Sequence, residues 1–214
     1  MPSEPSSFRE GDLTKEGESC MKKMSLKKFV VIGMFSSIAY ILSLLNFPFP
    51  GFPTFLKVDF SDVPALLAAI IMGPVAGIIV ELMKNILDYA MTGSETGIPI
   101  GHMANFLSGV AFILPSYFIY KWTATKKGLV AGMAVATVFM AVFMSVMNYF
   151  IILPAYTLFA GWGAMSGAQL KEMIVLGILP FNIIKGILVA IVTILLFGKL
   201  QAWLLKLTPV KNEM

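Results

Sequence analysis

The chain has 214 residues, of which 57% are hydrophobic and 13% charged, with a formal net charge of +4. That balance leaves too little polar surface for a water-soluble globule, so the solvent is lipid and the chain reads as a multi-pass protein of the cell membrane. The lysines sit beside apolar runs rather than along a basic stripe with interleaved aromatics, which argues against nucleic acid as a partner.

The chain begins with a polar segment rich in Ser and Glu, from Met1 to Cys20, followed by Lys22 and Lys23. Such a segment buries too little apolar area to order itself, so residues 1–23 are expected to form a disordered leader. It does not read as a secretory signal, because no small-residue cleavage site follows the apolar run and further hydrophobic segments come after it. With Cys20 as its one cysteine the chain has no internal disulfide, and His102, its one histidine, has no sequence neighbour with which to hold zinc. Residues 24–207 are the expected membrane domain and 208–214 a cytoplasmic tail.

A hydrocarbon core of about 30 Å takes roughly 20 apolar residues per helix. Four stretches meet that length: about Phe29–Asn46, His102–Tyr120, Gly128–Leu153 and Met173–Phe197. Between the first two lies Val63–Met91, too long for one span and interrupted at Gly73-Pro74 with Gly77 after it. Proline removes a helical hydrogen bond and the glycines permit a turn, so this stretch is split into two helices, making six in all. The third helix, near Gly77–Met91, carries Glu81, Lys84 and Asp88 and must face protein or water.

Lysine distribution sets the orientation. With the N-terminus inside, the cytoplasmic side receives Lys22, Lys23, Lys27, Lys28, Lys121, Lys126, Lys127, Lys199, Lys206 and Lys211, and the outside only Lys57 and Lys171. Six spans with both termini in the cytoplasm follow. No segment repeats at a fixed period, so an inverted-repeat transporter is not indicated.

On this topology the polar membrane residues share the outer leaflet. Lys84, Asn85 and Asp88 lie in the outer half of helix three, Asn105 just inside the outer end of helix four, and Asn148 about five residues from the outer end of helix five. Asn182 and Lys185 share one face of helix six, roughly 14–18 Å below its outer end at 1.5 Å per residue. These groups converge on an outward-facing pocket. Glu81, Lys84, Asn85 and Asp88 lie on one helix face, and Glu81–Lys84 and Lys84–Asp88 read equally well as ion pairs that fix the helix in its bundle. A lysine as deep as Lys185 costs about 2.5–3.5 kcal/mol to insert, which favours a functional role.

The connection from Phe47 to Asp59 interleaves three prolines with Phe49, Phe52 and Phe55 and also carries Thr54, Leu56 and Lys57. It reads as a lid, with an interfacial aromatic belt as the plainer alternative. Amides and a lysine, with no arginine past Arg9, suit a mostly neutral heteroaromatic ligand with an imide edge better than a phosphate or carboxylate. No nucleotide-binding loop is present, since Gly198-Lys199 is followed by Leu200 without a glycine-rich approach. Zinc-protease and serine-hydrolase motifs are absent, so an enzyme is not expected and transport energy must come from a partner or a gradient. Gly33, Ser36 and Ser37 on helix one provide small side chains for the close approach of another helix.

Five segments, Asp59-Phe-Ser-Asp-Val-Pro-Ala65, Gly73-Pro-Val-Ala-Gly77, Glu81-Leu-Met-Lys-Asn85, Ala104-Asn-Phe-Leu-Ser-Gly109 and Pro180-Phe-Asn-Ile-Ile-Lys-Gly186, together resemble the riboflavin-binding S components of energy-coupling factor (ECF) transporters. The resemblance runs from about Met24 to Lys206; where such proteins carry an alanine-rich face on helix one, this chain has Gly33 and Ser37. It implies the six-helix S-component fold and capture of riboflavin outside the cell. It also implies docking through helix one onto a T subunit driven by two ATPase subunits, with riboflavin as transported ligand and no cofactor. By the same resemblance Asn148, Asn182 and Lys185 hold the polar edge of the ring system. Phe52, Pro53 and Phe55 close the lid, and Thr54, Leu56, Lys57, Lys84, Asn85 and Asn105 complete the expected ligand contacts.

Overall fold

The computed structural model describes residues 26–207 except 95, 96 and 164, and of residues 200–207 the backbone alone. The expected leader, with Cys20, Lys22 and Lys23, and the expected tail, with Lys211, lie outside the described residues. Six helices follow in order: α1 Leu26–Leu44, α2 Asp62–Met72, α3 Pro74–Thr92, α4 Ile100–Thr123, α5 Lys126–Phe159, and α6, which begins at Gly167 and ends at Leu207. Helices α1, α4, α5 and α6 are long and apolar enough to cross a membrane.

Helices α2 and α3 are the break expected at Gly73-Pro74. Gly73 takes φ 102° and ψ 167°, a backbone state that side chains with a Cβ disfavour, and Pro74 opens α3 where its missing N–H has no helical partner to lose. Two helices joined by so short a turn must pack closely, and Gly77 makes this possible. A Cβ there would stand 2.7 Å from the Ala69 Cβ and 2.9 Å from the Ala65 carbonyl oxygen. Every residue of α2 from Asp62 to Ala69 is buried, because α2 sits centrally, packed against α1, α3, α4 and α6. Lipid gives helices no hydrophobic incentive to associate, so small side chains and polar contacts hold such a bundle together. The alanines of α2, with Gly132 against Ser116 and Gly186 against Thr137, fill that role.

Two helices are longer than expected, and both run through a proline. The sequence reading ends helix five at Leu153, before Pro154, whereas α5 continues to Phe159; helix six, expected over Met173–Phe197 with Pro180 inside it, begins earlier, at Gly167. A proline ring clashes with the carbonyl four residues earlier, here those of Phe150 and Leu176. Each lies in a π-helical stretch, Asn148–Ile152 and Met173–Ile178, whose wider turn accommodates the missing bond. Asn148 is thus eleven residues from the end of α5, about 16 Å at 1.5 Å per residue, and lies deeper than expected. Asn182 and Lys185 likewise lie farther from the start of α6, which Gly167 opens behind a Ser166–Gln169 capping box.

The connection after α1 is a small hairpin rather than a plain loop. Phe47–Pro48 pairs antiparallel with Lys57–Val58, and this pairing holds the phenylalanine-proline segment between them across the bundle.

Candidate functional site

A cavity of about 560 Å³ opens beneath this hairpin, lined by residues of all the helices except α2. That is within the usual range of about 300–1,000 Å³ for small-molecule pockets. Asn85, Asn105, Asn148, Asn182 and Lys185 all line it, together with Leu56 and Lys57 of the hairpin. The sequence reading therefore placed these seven residues around one space.

The two deepest amides are held alike. Asn148 Nδ2 donates to the Met144 carbonyl oxygen at 2.8 Å, and Asn182 Nδ2 to that of Ile178, also at 2.8 Å. Each bond fixes the side chain along its own helix, and the Oδ1 atoms accept no hydrogen bond from the described residues. Both residues are buried, at 4% exposure, and both line the cavity, which leaves their amide oxygens as acceptors open to a ligand there.

Lys185 stands beside them. Its ammonium donates to Asn105 Oδ1 at 2.9 Å and pairs with Asp62 Oδ2 at 3.3 Å. An ammonium has three N–H donors, so one remains for a ligand. Asn105 in turn donates to Asn85 Oδ1 at 3.4 Å, and Asn85 donates to the Glu81 carbonyl oxygen at 2.8 Å. Lysine, amide and amide thus form one connected wall from α6 through α4 to α3.

Lys84 is placed differently from the expectation that it contacts ligand. It does not line the cavity. Fully buried, it gives its three donors to Asp62 Oδ1 at 2.5 Å, Ser61 Oγ at 2.6 Å and Glu81 Oε1 at 2.6 Å. Ser61 is itself held by Asp59 through both its N–H and its hydroxyl. Of the two anticipated ion pairs, Glu81–Lys84 forms, whereas Asp88 turns to His102, with Nε2 3.3 Å from Oδ2. His102 has no acidic neighbour in the sequence; the α3–α4 seam supplies one.

The hairpin covers the cavity with part of its length. Phe55 lines the space and meets the Trp162 ring edge-on at 5.2 Å and the Tyr156 ring at 5.9 Å. Tyr156 and Trp162 stack at 4.7 Å. Phe52 packs edge-on against Phe181 at 5.9 Å and Pro53 approaches Gly177, so both anchor the hairpin to α6 outside the cavity. Thr54 is exposed and does not line the cavity.

On α1, Gly33 and Ser37 lie on the exposed face, whereas Ser36 turns into the bundle and donates to the Ile32 carbonyl oxygen at 2.8 Å. The three expected docking residues therefore divide between two faces.

Three contributors escaped the sequence reading. Asp62 is the carboxylate shared by both lysines; its signal was the presence of two buried lysines with too few nearby acids in α3 and α6. Tyr156 and Trp162 form the aromatic wall, and isolated aromatics near a helix end carry no signal that separates them from a membrane-interface belt. The Asp88–His102 pair depends on the packing of two helices. Among the described residues no group of three His, Cys, Asp or Glu is placed to hold a metal ion.

Residues 27–197 match the family model for the ECF transporter, substrate-specific component. The chain is 52% identical over 181 residues to riboflavin transporter FmnP of Bacillus subtilis, covering 85% of this chain and 95% of that one. It is 46% identical over 178 residues to riboflavin transporter RibU of Staphylococcus aureus, covering 83% and 92%. A solved structure described as the S component of a bacterial ECF transporter superposes with a TM-score of 0.73 at 44% identity, covering 85% of this chain and 99% of that one. These relatives are named as transporters, a role that involves no catalysis. The helical membrane bundle, its polar cavity and these likenesses together place the chain in the family of ECF transporter substrate-specific components.

Proposed function

We propose that the chain binds riboflavin from the outside of the cell and delivers it through an ATP-driven ECF transporter. The observation that carries this reading is the meeting of two unpaired amide oxygens, of Asn148 and Asn182, with the remaining donor of Lys185 in one cavity. A flavin imide has one N–H between two carbonyl oxygens. The N–H donates to one asparagine oxygen, and the two carbonyls accept from Lys185 and from the second N–H of an asparagine amide, whose first N–H is held by its own helix. The Phe55, Tyr156 and Trp162 rings suit the apolar dimethylbenzene end. The names of the relatives supply the same ligand independently.

In this reading both termini are cytoplasmic, as the lysine distribution favours, and the hairpin is the outer lid. With no nucleotide-binding loop in its sequence, the chain depends on a T subunit and two ATPase subunits. Their docking face is the exposed side of α1 that carries Gly33 and Ser37.

Flavin fluorescence tests the binding step. Purified protein in detergent quenches added riboflavin in a saturable way, and Lys185→Met weakens binding at least tenfold. Full-strength binding by that variant, or no quenching by the unsubstituted protein, refutes the assignment.

A further inference from the structure

Beyond the imide-reading residues, the cavity has a second polar region that the ring does not use. The α3–α4 seam is a ladder. Its inner rung is Asn85–Asn105, joined at 3.4 Å. Its outer rung, one turn nearer the α3–α4 connection and about 4.5 Å along each helix, is Asp88–His102, at 3.3 Å. Both rungs line the same cavity.

The outer rung is built to hold a carboxylate still. His102 Nε2 faces Asp88 Oδ2, and the His102 ring is packed edge-on against Tyr89 at 5.6 Å; the Thr92 hydroxyl bonds the Asp88 carbonyl oxygen at 2.6 Å and stands 3.3 Å from Oδ1. With Nε2–H directed at Asp88, the buried His102 Nδ1 is a bare acceptor and leaves no donor unpaired. Asp88 is 20% exposed, and each of its oxygens keeps lone-pair capacity for further donors. A fixed carboxylate with spare acceptor capacity recognises hydroxyl groups, and it repels anions.

We infer that Asp88, positioned by His102, reads the hydroxylated side chain of the ligand. This rests on the flavin reading above. With the imide at Asn148, Asn182 and Lys185 and the dimethylbenzene end at Phe55, Tyr156 and Trp162, the polyol that branches from the middle of the ring system has the α3–α4 seam as its polar wall. Asp88 contacts the ligand in this arrangement, and His102 acts through Asp88.

The test compares two ligands on the full-length protein in detergent: riboflavin, and lumiflavin, which has a methyl group in place of the polyol. The unsubstituted protein is expected to bind riboflavin at least tenfold more tightly than lumiflavin. Asp88→Ala is expected to weaken riboflavin binding at least tenfold and change lumiflavin binding less than twofold; His102→Gln follows the same pattern with a smaller loss. Equal losses for both ligands would reduce Asp88 to a structural role, and unchanged riboflavin binding would remove it from the site; either overturns the inference. Equal affinity of the unsubstituted protein for the two ligands also overturns it while leaving the flavin reading intact. Binding of neither ligand by the unsubstituted protein overturns both.

Discussion

Two buried lysines lie within reach of the same carboxylate, and their surroundings give them different work. Lys84 on α3 has all three donors engaged, by Asp62, Ser61 and Glu81, and lies outside the cavity. Lys185 on α6 has two partners, Asn105 and Asp62, and lines the cavity with a donor remaining. A buried charge with every donor satisfied stabilises a particular packing, because removing any partner strands the others. One with a donor still available, at a cavity wall, can serve a ligand. Residue type and depth alone do not separate the two cases; the count of partners does.

The widest break in this comparison comes from Asp62, which both lysines share. Asp62→Asn leaves two buried ammonium groups with too little countercharge and is expected to cost about 3–5 kcal/mol. A large drop in thermal stability in detergent, with weakened flavin binding, is the expected result. A melting temperature equal to that of the parent protein would mean that the network contributes little to folding.

Separating the lysines gives the next effect. Lys185→Met is expected to lower flavin affinity at least tenfold, or about 1.4 kcal/mol, with a small change in melting temperature. Lys84→Met is expected to do the reverse, lowering thermal stability while the folded fraction binds flavin within threefold of the parent. Titration and melting of the two variants side by side check this, and identical behaviour would erase the distinction.

Gly109 sharpens the structural half. A methyl group there would overlap the Glu81 carboxylate, one of the three Lys84 partners. Gly109→Ala is expected to destabilise by about 1–3 kcal/mol, the usual cost of overpacking, with thermal unfolding as the readout and flavin affinity little changed. The smallest effect concerns the lid. Phe55→Leu loses ring contacts worth about 0.5–1.5 kcal/mol, so flavin release, followed by stopped-flow fluorescence, should speed up about two- to tenfold.

Much of this arrangement is legible in the chain. Length and hydropathy give four spans, Gly73-Pro74 gives the break between α2 and α3, and amides and lysines at matching depth give five of the cavity residues. The end of helix five near Pro154 is not legible, because a proline ends a helix or passes through it depending on whether the preceding turn widens. Thr54, Phe52 and Pro53 belong to the connection after α1 expected to be a lid, yet they do not line the cavity. Their direction is set by the Phe47–Val58 pairing and by packing on Phe181 and Gly177.

The sequence by itself determined that this is a six-helix membrane protein with polar groups gathered around a buried pocket, because an apolar chain must satisfy its backbone in helices and tolerates buried polar side chains only where they find partners or water. Tertiary structure alone decided which partners those are. It gave Lys84 to a closed ion network and Lys185 to the cavity, brought His102 to Asp88, and set Tyr156 and Trp162 against Phe55. Apart from Glu81–Lys84, one turn apart on α3, these contacts join residues from different elements, and their separation is fixed by helix packing, which no local pattern encodes.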